Sequence, residues 1–299
     1  MPVVVYHSAP YEYVWYGYLS FCRVYGKIIR FIMNHLDDEN NNYYLAAPCC
    51  DGMVLEPHFR NITHGDSAIE HFRYEATNSV FKCKLIFVTL ATRDFYAPEI
   101  VLLPLDENSF RNGVRNELAK QVTFIPWEEK KPIAFWRGCG TSGFPAPNIR
   151  TKTVLALKDN PNSDVKFVKE FIVNEYPDES LYAERVNVQE FLKYKYVFII
   201  DGTVIASSLQ WTFASGSVPI LITHPGNNWW FKKYLIPMIH YVPIAYDLSD
   251  LESQIQWLID NDDKAREIAE NAVRFSEEYL SAEFQQKYLA EELNRGIHV

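Results

Sequence analysis

Apolar residues follow two periodicities along this chain, and the order in which they alternate predicts its architecture. From Val14 to Leu36, "VWYGYLSFCRVYGKIIRFIMNHL" carries apolar side chains at helical spacing and ends in the polar run "DDENNN", which reads as a loop. After an irregular stretch, "HGDSAIEHFRYEA" offers Asp66 or Ser67 as a helix N-cap. "CKLIFVTLA" and "EIVLLPL" then read as buried strands. A helix between apolar strands implies a crossover unit in a parallel sheet.

"QVTFIPWEEKKP", with its charges and with Pro126 and Pro132, reads as a hinge before a second alternating series. That series runs "IAFWRG" (strand), "NIRTKTVLALKD" (helix), "DVKFVKEF" (strand), "VQEFLKYK" (helix), "YVFII" (strand), a loop "DGTVIASSLQW", "SVPILI" (strand), "NNWWFKKYL" (short helix) and "HYVPI" (strand). Helical stretches "SDLESQIQWLID" and "DDKAREIAENAVRFSEEYLS" and a helical tail close the chain. The predicted fold is α/β: two doubly wound, Rossmann-like lobes facing a cleft. The first lobe spans 1–125 and the second 126–280, and the tail, 281–299, is expected to pack back on the first.

Composition narrows the partners. At 299 residues, 48% hydrophobic and 22% charged, the chain is globular and long enough for two lobes. Its charge, 29 basic against 38 acidic residues or -9, opposes a nucleic-acid partner, which needs clustered cations to release counterions. The 5 cysteines are odd in number and Cys49 adjoins Cys50, which fits a reducing compartment. No cationic segment precedes an apolar core at the N-terminus, no apolar run reaches about 18 residues, and "NRGIHV" is no retention signal. The expectation is a soluble, cytoplasmic protein with no transmembrane segment. Aromatic residues, 15% of the chain, fill a core or line a cleft that stacks on sugar rings.

The motifs exclude several chemistries. The 8 histidines lack the i, i+4 pairing of a zincin, and G-x-S-x-G is absent. Asp260-Asn-Asp262 spells a D-x-D, but between two helical patterns an acid caps the next helix. Cys139 needs a neighbouring histidine to serve as a nucleophile. Arg137, at the C-terminal end of "IAFWRG", has a fork suited either to a pyrophosphate or to an ion pair at the domain seam. Arg150, in the first turn of the next helix, is a second cation on that edge or a solvated helix residue. Asp94, following "LIFVTLA", is placed as a general base on an acceptor hydroxyl or as the ion-pair partner of Arg93.

In order, the segments "RDF", "PWEEKKPIAFWRG", "KYKYVFIIDGTVIASSLQW", "ASGSVPI", "LIPMIHYVPIAYDLSDL" and "DDKAREIAENAVRFSEEYL" resemble glycosyltransferase family 90 from Arg93 to Leu280. That family includes Rumi-type protein O-glucosyltransferases, capsule-associated xylosyltransferases and lipopolysaccharide-modifying glycosyltransferases. The resemblance implies a GT-B fold, with an acceptor-side N-terminal lobe and a C-terminal lobe that binds a UDP-sugar donor, UDP-xylose or UDP-glucose. It implies transfer to a glycan or glycoconjugate hydroxyl with inversion, giving a β-linkage. Asp94 matches the base of the "R-D-[FY]" segment, Arg137 the arginine on the diphosphate and Arg150 a basic position downstream. Thr203, Val204, Ile205, Ala206, Ser207 and Ser208 match the loop that wraps the donor. Backbone N–H groups and arginines could carry the leaving-group charge, so no obligatory metal is expected. Two departures stand out: the cation expected at Ser208 or near Gln210 is missing. That loss is the argument for an alternative, a non-catalytic carbohydrate- or nucleotide-binding protein on the same scaffold.

Overall fold

Seven consecutive residues, Tyr194–Ile200, are apolar or aromatic apart from Lys195, and nearly all are buried. A strand that reads as a continuous apolar run is covered on both faces, as central strands of parallel sheets are. The computed structural model describes residues 3–8, 27–28, 30–32, 34–36, 43–48, 53–54, 84–94, 97–140, 148–169, 176, 178–202 and 205–297. The chain divides into two compact units, Met1–Arg111 with Gly226–Lys232 and Ala282–Val299, and Asn112–Pro225 with Lys233–Ser281.

In the first unit, β1 (Val3–Ser8), β2 (Tyr43–Pro48), β4 (Lys84–Thr89) and β6 (Ile100–Leu102) form a parallel sheet in that order. β3 (Met53–Val54), β5 (Ala91–Arg93) and β12 (Asn227–Trp229) form a smaller one, in which β12 runs antiparallel to β5. The described residues between 27 and 35 are helical; the rest of the predicted helix over 14–36, and that at "HGDSAIEHFRYEA", lie outside the described residues. The tail forms the Ala282–Ile297 helix, which packs on this unit: Tyr288 Oη donates to Leu102 O at 3.0 Å and Gln285 Nε2 to Ser109 O at 2.9 Å.

The second unit has six parallel strands: β7 (Lys131–Gly138), β8 (Ser163–Val168), β9 (Tyr182–Ala183), β10 (Tyr194–Ile200), β11 (Val218–Ile222) and β13 (Val242–Ile244). They lie in the order β13-β11-β10-β7-β8-β9. The chain builds outward from β7 in one direction, returns to its other side at β10, and continues from there. Such a sheet has its topological switch point between β7 and β10. The Asp262–Tyr279 helix buries Ala265, Ile268, Ala269, Ala272 and Phe275, a 3.6-residue stripe.

Two stretches differ from their sequence reading. "NNWWFKKYL", expected as a short helix, forms β12 and then a 3-10 turn over Lys232–Tyr234. Pairing with β5 decides it: Trp229, Trp230 and Phe231 are all buried, and three consecutive apolar positions do not distinguish the two periods. "QVTFIPWEEKKP", read as a hinge, lies inside the second unit. Val122, Phe124 and Ile125 pack against Phe135, Phe191 and Leu192, while Trp127 is buried and its Nε1 donates to Asp262 Oδ2 at 3.1 Å.

The end of that stretch holds a buried cation. Lys130 is 4% exposed, and its Nζ donates to Leu192 O at 2.6 Å and Ser217 Oγ at 3.1 Å. Burial, reinforced by the nearby Arg115 charge, pulls its pKa from 10.5 down to about 8. Below pH 8 both folded and unfolded chains carry the proton; between 8 and 10.5 the unfolded chain holds more of it, so stability rises with pH across that window. Lys130→Met should lack this rise, which is on the order of 2 kcal/mol in the native chain. Urea unfolding of both proteins at pH 7.5 and pH 10 measures the difference.

Candidate functional site

The carboxyl ends of β7 and β10 meet at the switch point, where open α/β sheets bind ligands. Asn148 builds one wall. Its Oδ1 accepts from Thr151 N at 3.0 Å, capping the Ile149–Leu157 helix, and its Nδ2 donates to Gly140 O at 2.7 Å, which ties that helix start to the exit of β7. The cap fixes Arg150 in the first turn. Arg150 Nη1 donates to Cys139 O at 3.2 Å, Nη2 and Nε reach Ile200 O at 3.2 and 3.4 Å, and the guanidinium lies 5.7 Å from the Trp136 ring centre. One side chain therefore spans the ends of the two strands that flank the switch point. Gly202 leaves room for it, since a Cβ there would come 3.1 Å from Arg150 Nη2 and 3.1 Å from Ile205 O.

Asp201, which sequence reasoning passed over, locks the neighbouring exit. It is 2% exposed, its N donates to Ile222 O at 3.2 Å, and its Oδ2 accepts from His224 N at 2.7 Å. The chain leaving β10 is thereby fixed to the chain leaving β11. No local pattern marks this, because it depends on the two strands being neighbours.

Arg137 has a different setting from Arg150. Its side chain turns back along β7, 4.4 Å above the Phe135 ring. There Nη1 donates to Asp164 O and Trp136 O, both at 2.9 Å, and Nη2 pairs with Asp164 Oδ2 at 2.7 Å. Asp164 lies opposite Phe135 in the register of β8. In this structure Arg137 is ion-paired with Asp164 within the second unit. Its Nε is buried without a hydrogen-bond partner.

Of the predicted loop, Thr203 and Val204 lie outside the described residues. Ala206 is buried, Ile205 and Ser208 are half-buried and Ser207 is exposed. Ser208 precedes the Leu209–Phe213 helix without a side-chain capping bond. Gln210, the second uncharged position, is 5% exposed and its Nε2 has no hydrogen-bond partner. The D-x-D residues are engaged elsewhere: Asp262 accepts from Lys195 Nζ at 2.7 and 2.9 Å and from Trp127 Nε1, and Asp260 from Gln256 Nε2 at 2.8 Å. Burial alone would raise the Asp262 pKa, but the Lys195 and Trp127 hydrogen bonds outweigh it and the pKa falls. Among the described residues no three His, Cys, Asp or Glu side chains cluster as metal ligands, and no helix is long and apolar enough to cross a membrane.

In the first unit, Asp94 follows β5 with its backbone in the left-handed region, φ 52, and its side chain exposed. Its N donates to Gly226 O at 3.0 Å. The adjacent Arg93 is buried, and its Nε donates to Asn227 Oδ1 at 2.7 Å. The Arg93 side chain is thus tied to the start of β12.

Residues 107–295 match the family model described as "Glycosyl transferase family 90". The chain belongs to glycosyl transferase family 90. Its relatives in sequence include "Uncharacterized protein 179R" of Invertebrate iridescent virus 6, 31% identical over 255 residues, which cover 66% of this chain and 21% of the viral protein. "Protein O-glucosyltransferase 1" of Homo sapiens is 31% identical over 171 residues, covering 56% of this chain and 42% of the human one. The chain thus spans less than half the length of these relatives. Among solved structures, a glycosyltransferase from Rickettsia africae ESF-5 superposes with a TM-score of 0.51 at 12% identity, over 99% of this chain and 77% of that one. The fold class is α/β of the GT-B type, two Rossmann-like units in one chain.

Proposed function

We propose that this chain is an inverting glycosyltransferase that moves glucose or xylose from a UDP-sugar to a hydroxyl of a glycan or glycoconjugate. The observation that carries the reading is Arg150, whose guanidinium spans the carbonyls of Cys139 and Ile200 at the switch point of a family 90 chain. With the hydroxyls of Ser207 and Ser208 it would offer a cationic, hydroxyl-bearing wall for a diphosphate. Asp94 is the base. It takes the acceptor hydroxyl proton as that oxygen bonds to the anomeric carbon, and the bond from that carbon to the β-phosphate oxygen breaks with its electron pair leaving on UDP. The curated relatives named protein O-glucosyltransferase favour glucose over xylose. Arg137 has the smaller part: paired with Asp164, it holds the end of β7 in place.

A thermal-shift panel of UDP, UDP-glucose, UDP-xylose, GDP and ADP tests the donor. A ligand at about 100 times its Kd stabilises the folded state by about 2.7 kcal/mol, enough to raise Tm by a few degrees. UDP and one UDP-sugar should do so and GDP and ADP should not; no shift with any of them would overturn the reading. The neutral Ser208 and Gln210 favour the second reading, a nucleotide- or carbohydrate-binding protein without catalysis. UDP binding without UDP release from either sugar nucleotide would establish it.

A further inference from the structure

We propose that Gly226 is a positioning residue that sets the Asp94 carboxylate, an inference that rests on the reading of Asp94 as the base. A Cβ built on Gly226 would overlap Asp94 Oδ1 and Cγ, so the carboxylate occupies the space where a side chain at 226 would begin. Gly226 is not required by its own backbone. Among the described glycines only Gly113 and Gly216 have positive φ. What residue 226 must lack is volume. The approach is held by three further contacts: Asp94 N on Gly226 O at 3.0 Å, the β5–β12 register that pairs Arg93 with Asn227, and Arg93 Nε on Asn227 Oδ1 at 2.7 Å. Lys232 Nζ donates to Asn227 O and fixes the same strand from its far end. The three atoms nearest that Cβ all belong to the Asp94 carboxylate group, so a methyl at 226 moves the carboxylate and leaves the strand pairing in place.

A base displaced by about 1 Å loses on the order of 10- to 100-fold in turnover while substrate binding survives. Gly226→Ala should therefore lower kcat for UDP release from UDP-glucose or UDP-xylose by about that factor, with Kd for UDP within about two-fold of native. The acid limb of its pH–kcat profile should also move, as a change of fold stability alone would not make it do. Native turnover by Gly226→Ala alongside an inactive Asp94→Asn overturns the role of Gly226 and spares the base. Native turnover by Asp94→Asn overturns the base reading, and the role of Gly226 with it. The double variant Gly226→Ala/Asp94→Gly keeps the contact testable even where Gly226→Ala folds poorly or native protein turns over neither donor. The drop in Tm caused by the methyl should vanish once the carboxylate is gone, and an equal drop in both backgrounds overturns the proposal.

Discussion

Asp94→Asn should abolish sugar transfer and leave UDP binding intact. Asparagine matches aspartate in shape, and both tolerate left-handed backbone better than other non-glycine residues, so φ 52 and the Asp94 N to Gly226 O bond at 3.0 Å are retained. The amide can no longer take a proton. A positioned general base contributes about 10²- to 10⁴-fold, so under the proposed mechanism kcat should fall by about that factor. UDP affinity, measured by calorimetry, should stay within about two-fold, because Asp94 carries no part of the diphosphate wall in this proposal. Wild-type kcat in Asp94→Asn would remove the base assignment, whereas a parallel loss of UDP affinity would make Asp94 a donor-binding residue instead. Asp94→Ala is the poorer probe: it removes the carboxylate but also places alanine at a φ it disfavours.

Much of this was legible in the chain because its central strands are apolar throughout. β10 and β11 announce themselves as buried parallel strands, and the residues that follow such strands fall at a ligand-binding edge. That logic put Arg150 and Asp94 forward as candidates, while the 203–208 loop came from the family resemblance. It failed where the answer depends on a partner far along the chain. Asn227–Trp229 becomes a strand only because Ala91–Arg93 lies beside it, and no local pattern predicts a pairing across more than 130 residues. Periodicity likewise placed Arg137 at the end of β7 without showing which way so long a side chain turns. The turn is decided by Asp164 on the next strand and by the Phe135 ring two residues back. Asp201 went unread for the same reason, since its partner His224 follows a different strand.

Arg150→Ala should weaken UDP binding by about 10- to 100-fold, the effect of removing one hydrogen-bonding cation from a diphosphate. Its position in the helix makes the case. A cation in the first turn faces the positive end of the helix dipole, so the location is locally unfavourable. Here it is held by the carbonyls of Cys139 and Ile200, which span the ends of β7 and β10. In the proposed reading a diphosphate lies at that strand edge, against the guanidinium. Arg150→Lys keeps the charge but cannot span both carbonyls, and should fall between alanine and native. Arg137→Ala is the contrast. It strips Asp164 of its partner and β7 of a bridge to β8, so it should lower Tm by several degrees and change Kd for UDP by less than about three-fold. Calorimetry and melting curves on the three variants separate the two arginines. Native UDP affinity in Arg150→Ala would take the donor wall away from this edge. An affinity loss in Arg137→Ala as large as that of Arg150→Ala would mean that Arg137 leaves Asp164 for the diphosphate when the donor arrives.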